Sequence, residues 1–328
     1  MIRMGRVICS AIMAVIIPAA AWAESLGSLV IVTQAPDAVV TDSDPPPVNP
    51  DDVSDNPLGA LTDVFRGPDS FSLLLIGTDS YGSQISGRSD SMILCKLNRK
   101  TGKVMIVSFM RDLYVAIPGR GSTRLNAAFV YGGAALLRET LSNQFGVAAD
   151  AFIAVNFTVM VDLMDRLGGV DVTITRAEMT QINYWARVYY RRSGLNTSAY
   201  GPLNTYGDVH LDGAQALAFS RIRNIDSDYQ RTRRQRDVVA AAFSRATELN
   251  AAQLALLVAE NIGKVKTDIT LADALDLLPL LLSARGWEVE TFRIPADRAY
   301  ASRTISGMAV LVPDLKKNRD LLRDFLGE

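Results

Sequence analysis

The sequence predicts an α/β fold, a single domain with helices on both faces of a central sheet. Three observations carry that prediction. Short apolar runs of strand length, such as LLLI at residues 73–76, end on glycine or turn residues. Longer stretches with apolar residues three and four apart lie between them, as at residues 127–145 and 229–249. Strands and helices interleave along the chain instead of forming separate blocks, which favours one layered core.

The first strand is expected at residues 71–77, FSLLLIG, where glycine ends the run. Strands at 91–97 and 103–109 flank the turn Asn98-Arg-Lys-Thr-Gly and read as a hairpin. A helix follows over 127–145 and a strand over 152–155. The next helix, 158–167, runs into Gly168-Gly169, which suits a left-handed C-terminal cap, and a strand over 170–174 comes after it. Asp212 is placed to N-cap a helix reaching residue 219, and Asp228 stands near the start of a long helix over 229–249. Helices over 252–262 and 271–283, strands over 289–294 and 309–312, and a closing helix to 326 complete the body. Residues 178–209 have no clear period. Their Tyr184-Trp-Ala-Arg-Val-Tyr-Tyr-Arg-Arg run reads either as a basic, aromatic flap over a site or as an amphipathic surface insertion.

With 48% hydrophobic and 21% charged residues among 328, the chain is neither disordered nor a disulfide scaffold. Residues 1–23 carry Arg3 and Arg6, an apolar run interrupted by Pro18, and Ala21-Trp22-Ala23 before Glu24, so they read as a cleaved signal peptide. The rival reading is a membrane anchor, for which the run falls short of the roughly 20 apolar residues a span needs. Residues 24–70, with Asp44-Pro-Pro-Pro-Val-Asn-Pro-Asp-Asp, are expected to form a stiff, acidic, largely disordered linker. The remaining 71–328 form the predicted domain.

The net charge of −1 is a cancellation between these parts. Residues 1–70 hold three basic and nine acidic side chains, and the rest hold 31 basic and 26 acidic ones. Of those 31, 24 are Arg, and six fall between Arg221 and Arg236. Guanidinium forks match planar and tetrahedral oxyanions better than ammonium groups do, so the bias points to an anionic ligand. Cys95, the single cysteine after the leader, reads as a buried core residue, and His210, the sole imidazole, as a loop or core residue. No GxSxG or HExxH pattern is present, which argues against a hydrolase triad or a histidine zinc site.

Charged clusters sit where α/β sheets place ligands, at strand ends and helix starts. They are Gly77-Thr-Asp79, Arg88-Ser-Asp90, Arg111-Asp112 and Ser220-Arg-Ile-Arg223 with Asp228-Tyr-Gln-Arg231 beyond. Arg231 and Gln235 are four apart, so they share one helix face, with Arg234 beside them. The nearby helix N-terminus offers backbone N–H groups to an anion. Arg–Asp pairs that neutralise one another as a solvated network are the plain alternative.

The ordered motifs LLLIGTD, RSDSMIL, SFMRDLYVAIPG, RLNAAFVYGG, VDLMDRLGGVDV, LDGAQALAFSRIR and DSDYQRTRRQR resemble the LytR-CpsA-Psr family of cell-envelope proteins over about residues 71–239. The resemblance implies an α/β/α sandwich with a mixed central sheet. It implies transfer of a glycopolymer from a polyprenyl-pyrophosphate carrier to a peptidoglycan hydroxyl as a phosphodiester, outside the cytoplasm at the membrane surface, with Mg²⁺ or Mn²⁺. Carried over, it makes Asp79 and Asp90 the metal carboxylates and Arg88, Arg111, Arg221, Arg223, Arg231 and Gln235 the pyrophosphate ligands. Arg111 then acts catalytically, with Asp90 or Asp112 as the base. Met110 departs from the family's usual proline, and a less rigid backbone is expected there. The helices at 127–145 and 158–167 are candidates to line a lipid slot, although apolar faces are more often plain core. Hydrolysis of the same lipid and non-catalytic binding of polyprenyl phosphates are the alternative functions. DNA binding fits poorly with an export signal.

Overall fold

The computed structural model describes residues 68–82 and 84–328. The expected signal peptide and nearly all of the acidic linker lie outside the described residues. Three antiparallel strands open the domain: β1 (Ser70–Thr78), β2 (Ser89–Asn98) and β3 (Lys103–Phe109). A hairpin, β4 (Tyr114–Ile117) and β5 (Gly121–Arg124), leads to α1 (Ala127–Phe145). Then come β6 (Ala151–Val155), α2 (Phe157–Arg166), β7 (Val170–Ile174), α3 (Arg176–Arg192), β8 (Gly207–Leu211), α4 (Gly213–Arg221) and α5 (Asp228–Glu248). The C-terminal part holds α6 (Ala251–Asn261), β9 (Lys266–Thr267), α7 (Leu271–Asp276), α8 (Leu278–Ser283), β10 (Glu288–Ile294), β11 (Tyr300–Ile305), β12 (Met308–Pro313) and α9 (Leu315–Leu326).

The main sheet has six strands in the order β10-β3-β2-β1-β6-β9. It is mixed, because β10 pairs with β3 and β6 with β1 in parallel, while the other pairings are antiparallel. Side chains alternate across a strand, so the run LLLI can serve both faces at once. Leu74 and Ile76 join Val107, Phe109, Leu137, Leu141 and Leu322 in a core with α1 and α9. On the other face Ile93, Cys95, Val104 and Ile106 meet Val239 and Phe243 of α5. Each fully buried Leu or Ile in these layers contributes about 1.5–3 kcal/mol. This is the predicted layering, with helices on both faces.

Several elements differ from the sequence reading. Residues 178–209 hold most of α3 rather than a flap. Thr175 and Glu178 form a reciprocal capping box at its start, and Ile182, Ala186 and Tyr189 bury its inner face. The helix expected over 127–145 breaks its dihedral pattern at Gly132 and Gly133, the latter at φ 64°. That expected over 271–283 is two short helices, with Pro279 at the start of the second. Asp212 does cap α4, accepting from the Gln215 amide at 2.8 Å. His210 lies on β8, largely exposed and 2.8 Å from Asp171, and is neither loop nor core. Cys95 is buried, and burial pushes its thiol up to about 12, which leaves it unreactive.

Met110 corrects the expectation of a looser backbone. Its N–H donates to the Ile294 carbonyl at 2.8 Å, which extends the β3–β10 pairing by one bond, and its side chain is buried. Proline has no N–H to give. The Met110→Pro variant is expected to lose about 1–3 kcal/mol of unfolding free energy in urea, since it leaves the Ile294 carbonyl unpaired. An unchanged urea midpoint and slope would refute that role for the bond.

Candidate active site

The strand directions explain why the charged clusters meet. β1, β3 and β6 end at the edge of the sheet where β2 begins, so Asp79, Arg111 and Asn156 come out beside Asp90. The N-termini of α2 and α5 reach a cavity of about 570 Å³ at that edge. Its lining changes character along each wall. Along β1 and the residue after it the lining runs from Leu75 to Asp79, and on α5 from Ala242 and Val238 back to Gln235 and Arg231. One end is therefore charged and the other apolar, with Met160, Leu163, Leu217 and Trp185 in the walls. Of the two helices expected to line a lipid slot, α2 lines this cavity, whereas α1 packs in the core on the opposite face of the sheet.

Arg231 is the most constrained charge in the cavity. The residue is 2% exposed, and its Nη2 donates to Asp228 Oδ2 at 2.7 Å. Its Nε and Nη1 are buried and have no hydrogen-bond partner. Burial, together with the charges of Arg111 and Arg223, pushes its pKa down to about 10, against the pull of Asp228 and Asp90. Each unmet donor of a buried charged group costs on the order of 1–3 kcal/mol or more. A phosphate placed there would supply the missing acceptors and the missing charge.

The neighbouring groups are tied into a network. Asp90 accepts from Arg111 Nη1 at 2.8 Å and Arg223 Nη2 at 3.4 Å. Asp112 lies 3.4 Å from Arg111 Nε and accepts from Arg124 Nη1 at 3.1 Å. Burial lowers the Arg111 pKa, but Asp90 and Asp112 outweigh it, so the net shift is upward. Arg221 stacks over Phe157 at 4.0 Å and lies 5.9 Å from the Trp185 ring. Among the described residues it has no ion pair, and its Nη1 reaches the Tyr81 hydroxyl at 3.4 Å.

Asp79, Asp90, Arg221, Arg223, Arg231 and Gln235 thus line one cavity, and Arg111 joins through Asp90. Arg88 is exposed and does not line it. Asp112 faces an adjoining pocket of about 370 Å³, shared with Asp228, Tyr229 and Arg303. Arg234, expected beside the site, turns away to bind Glu178 at 2.7 Å and Asp226. Tyr81 and Phe157 are site residues that the sequence reading did not assign, and Trp185 belongs to the aromatic run that it read either as a flap over a site or as a surface insertion. The signal for α3, which carries Trp185, was the Thr175-x-x-Glu178 pattern of a capping box.

Among the described residues, no three His, Cys, Asp or Glu side chains gather as a metal site. Mg²⁺ typically takes one or two carboxylates and completes its shell with phosphate oxygens and water. Asp79 and Asp90 line the same cavity and fit that donor set. Asp79 has no ion-pair partner among the described residues, whereas both oxygens of Asp90 already face arginines.

Glu178 holds this assembly from behind. One carboxylate oxygen accepts the Thr175 N–H at 2.8 Å and the other accepts Arg234 Nε at 2.7 Å. Burial raises its pKa, but the bonds from Arg234 and Thr175 outweigh it and hold the carboxyl below the usual range. A depressed folded-state pKa contributes stability above the unfolded value and loses it as pH falls through the folded one. Glu178→Gln is expected to cost on the order of 3 kcal/mol at neutral pH. The gap to wild type should narrow in urea titrations below the ordinary Glu pKa. A gap independent of pH would rule out the charged role.

The sequence pattern of the LytR_cpsA_psr family matches residues 46–324. The polyisoprenyl-teichoic acid–peptidoglycan teichoic acid transferase TagT of Bacillus subtilis is 31% identical over 228 residues, covering 68% of this chain and 67% of TagT. The transferase of the same description named TagU, from Oceanobacillus iheyensis, is 31% identical over 269 residues, covering 79% and 76%. A structure of TagT bound to LIIa-WTA matches with a TM-score of 0.63 at 28% identity, over 80% of this chain and 93% of that one. Another, TagT with bound octaprenyl pyrophosphate lipid, gives 0.59 at 27% identity, over 80% and 92%. The motifs, the mixed sheet and a match over most of its length place this chain in the LytR-CpsA-Psr family.

Proposed function

We propose that this chain is a phosphotransferase that moves a glycopolymer from a polyprenyl-pyrophosphate carrier to a peptidoglycan hydroxyl. The observation that carries the proposal is Arg231, a buried guanidinium with two unpartnered donors where a charged site opens into an apolar cavity. A ligand matching that junction has a phosphate head and an apolar tail. The relatives named as teichoic acid transferases, and the one holding octaprenyl pyrophosphate, support the same reading.

In the reaction, the acceptor oxygen attacks the sugar-linked phosphorus, forming a P–O bond. The bond from that phosphorus to the bridging oxygen breaks, and polyprenyl phosphate departs with the electron pair. The hydroxyl proton passes to a carboxylate, for which Asp90 and Asp112 are the candidates. Arg231, Arg111, Arg221 and Arg223, with Gln235, hold the phosphoryl oxygens and stabilise charge gathering on them, the main contribution in phosphoryl transfer. Mg²⁺ or Mn²⁺ held by Asp79 and Asp90 would neutralise pyrophosphate charge. Substrates of that kind go with an extracytoplasmic place in the cell envelope, secreted or held at the membrane surface through the N-terminal segment. No helix among the described residues is long and apolar enough to cross a membrane.

The test incubates the full chain with a polyprenyl-pyrophosphate oligosaccharide, peptidoglycan and Mg²⁺. Wall-linked phosphodiester and polyprenyl phosphate are the expected products. Arg231→Lys should lower the rate on the order of tenfold to a hundredfold, the value of one charge-assisted contact. Free oligosaccharide phosphate without wall product would identify a hydrolase instead, and binding without turnover would overturn the enzymatic reading. In the same assay, EDTA is expected to abolish turnover and added Mg²⁺ to restore it. Full activity in EDTA would remove the metal from the proposal.

A further inference from the structure

Helix α5 carries a second buried guanidinium that the proposed chemistry does not use. Arg236 lies five residues beyond Arg231, about 140° further round the helix. It faces the β3–β10 side of the sheet, where its Nη1 donates to Ser108 Oγ at 3.0 Å. The residue is 8% exposed, its Nε is buried without a hydrogen-bond partner, and it has no ion pair among the described residues. A neutral hydroxyl is a weak partner for a buried cation.

Arg236 lines a separate pocket of about 500 Å³ between α5 and the end of β10. Arg233 and Arg293 also face this pocket, with Gln230 and Tyr300 as polar neighbours. The Arg293 guanidinium carbon lies over the Tyr229 ring, 4.3 Å from its centroid. The one carboxylate in the lining is Asp297, which pairs with Arg293 but whose side chain is 90% exposed. Asp237 pairs with Arg233 at 3.3 Å and acts on Arg236 only through space. Burial, reinforced by the charges of Arg293 and Arg233, lowers the Arg236 pKa to about 10. Of the three guanidinium groups at the pocket, Arg293 faces Asp297 and Arg233 faces Asp237 and, at 3.7 Å, Glu178, so Arg236 alone has no carboxylate partner among the described residues.

We propose that this pocket is a second phosphate-binding site, separate from the one at Arg231. A buried fork without a carboxylate of its own, lining a pocket with two further arginines, suits a tetrahedral oxyanion with several acceptor oxygens. Tyr229, whose hydroxyl lies 2.6 Å from that of Tyr300, lines both this pocket and the one containing Asp112 and Asp228. A phosphate bound there sits one pocket away from the reacting group. It comes either from a phosphodiester within a polymer chain or from a terminal or free phosphate.

The test follows the arginine Nε–H resonances of the full chain by NMR during titration with inorganic phosphate and, separately, with a glycerol phosphodiester. Arg236→Lys and Arg231→Lys assign the two signals. Inorganic phosphate is expected to shift the Arg236 signal saturably, and to do so in Arg231→Lys as well. Arg293→Gln, a substitution at the pocket wall that leaves the buried Arg236 in place, should weaken this response about tenfold. It should leave the Arg231 response unchanged. A response to both ligands assigns the site to chain phosphodiesters, and a response to inorganic phosphate alone assigns it to terminal phosphate. An Arg236 signal unmoved by either ligand would overturn the proposal, as would an Arg293→Gln affinity equal to wild type. Both results are independent of whether the chain transfers glycopolymer.

Discussion

A guanidinium held in a nearly dry place with two of its donors unmet governs this structure. Arg231 is 2% exposed and has one carboxylate partner, so the fold must hold α5 against the tendency of that charge to escape to water. It does so on two sides of the helix. Arg234 binds Glu178 and Asp226, fixing α5 to the capped start of α3 and to the loop that carries Arg223. Arg236 reaches Ser108 on β3. Neighbouring like charges raise the demand further, because Arg111 and Arg223 both act on Arg231. Asp90 relieves it by facing both of them, and Asp112 adds a second carboxylate beside Arg111.

The sheet supplies the asymmetry that the site requires. Its face toward α1 and α9 is filled by large side chains such as Phe109, Phe145 and Leu137. The other face is covered partly by α5 and partly by the α2–α4 group, which has its own core around Val170, Ile182 and Phe219. The cavity lies where these two covers meet the sheet. Its position follows from packing two helical groups on one face, a boundary at which ligand sites commonly form.

Strand runs and the charged motifs were legible in the sequence because each depends on neighbours within a few residues. LLLIGTD contains both the strand and its terminal carboxylate, and Arg231 and Gln235 share a face by helical spacing alone. What was not legible depended on distant partners. Helix α3 is hard to see because Arg and Tyr surround its narrow inner stripe of Ile182, Ala186 and Tyr189, and its burial comes from α4. The apolar faces of α1 and α2 look alike as sequence, yet one fills a core and the other borders a cavity. Arg88 belongs to the same motif as Asp90, but β2 begins between them, and the strand directs Asp90 inward while Arg88 stays exposed. Met110 reads as a loss of rigidity until its N–H is seen bonded to Ile294.

On the proposed reading, the polarity of α5 also fixes how the donor must lie. From Arg231 to Ala242 the helix rises about 16 Å, and over that distance its cavity-facing residues pass from charged to apolar. A tail directed toward Ala242 leaves the pyrophosphate at the charged end, and the glycan must then leave on the side away from the cavity. That side holds Asp112, Asp228 and Tyr229 in the adjoining pocket. The acceptor hydroxyl has to approach opposite the departing polyprenyl phosphate for an in-line displacement. It therefore enters from the same open side, where Asp112 is held between Arg111 and Arg124. Its contacts with Arg111 and Arg124 fix where the Asp112 carboxylate sits, on the open side that an incoming acceptor must use, and make it the carboxylate best placed to meet that hydroxyl.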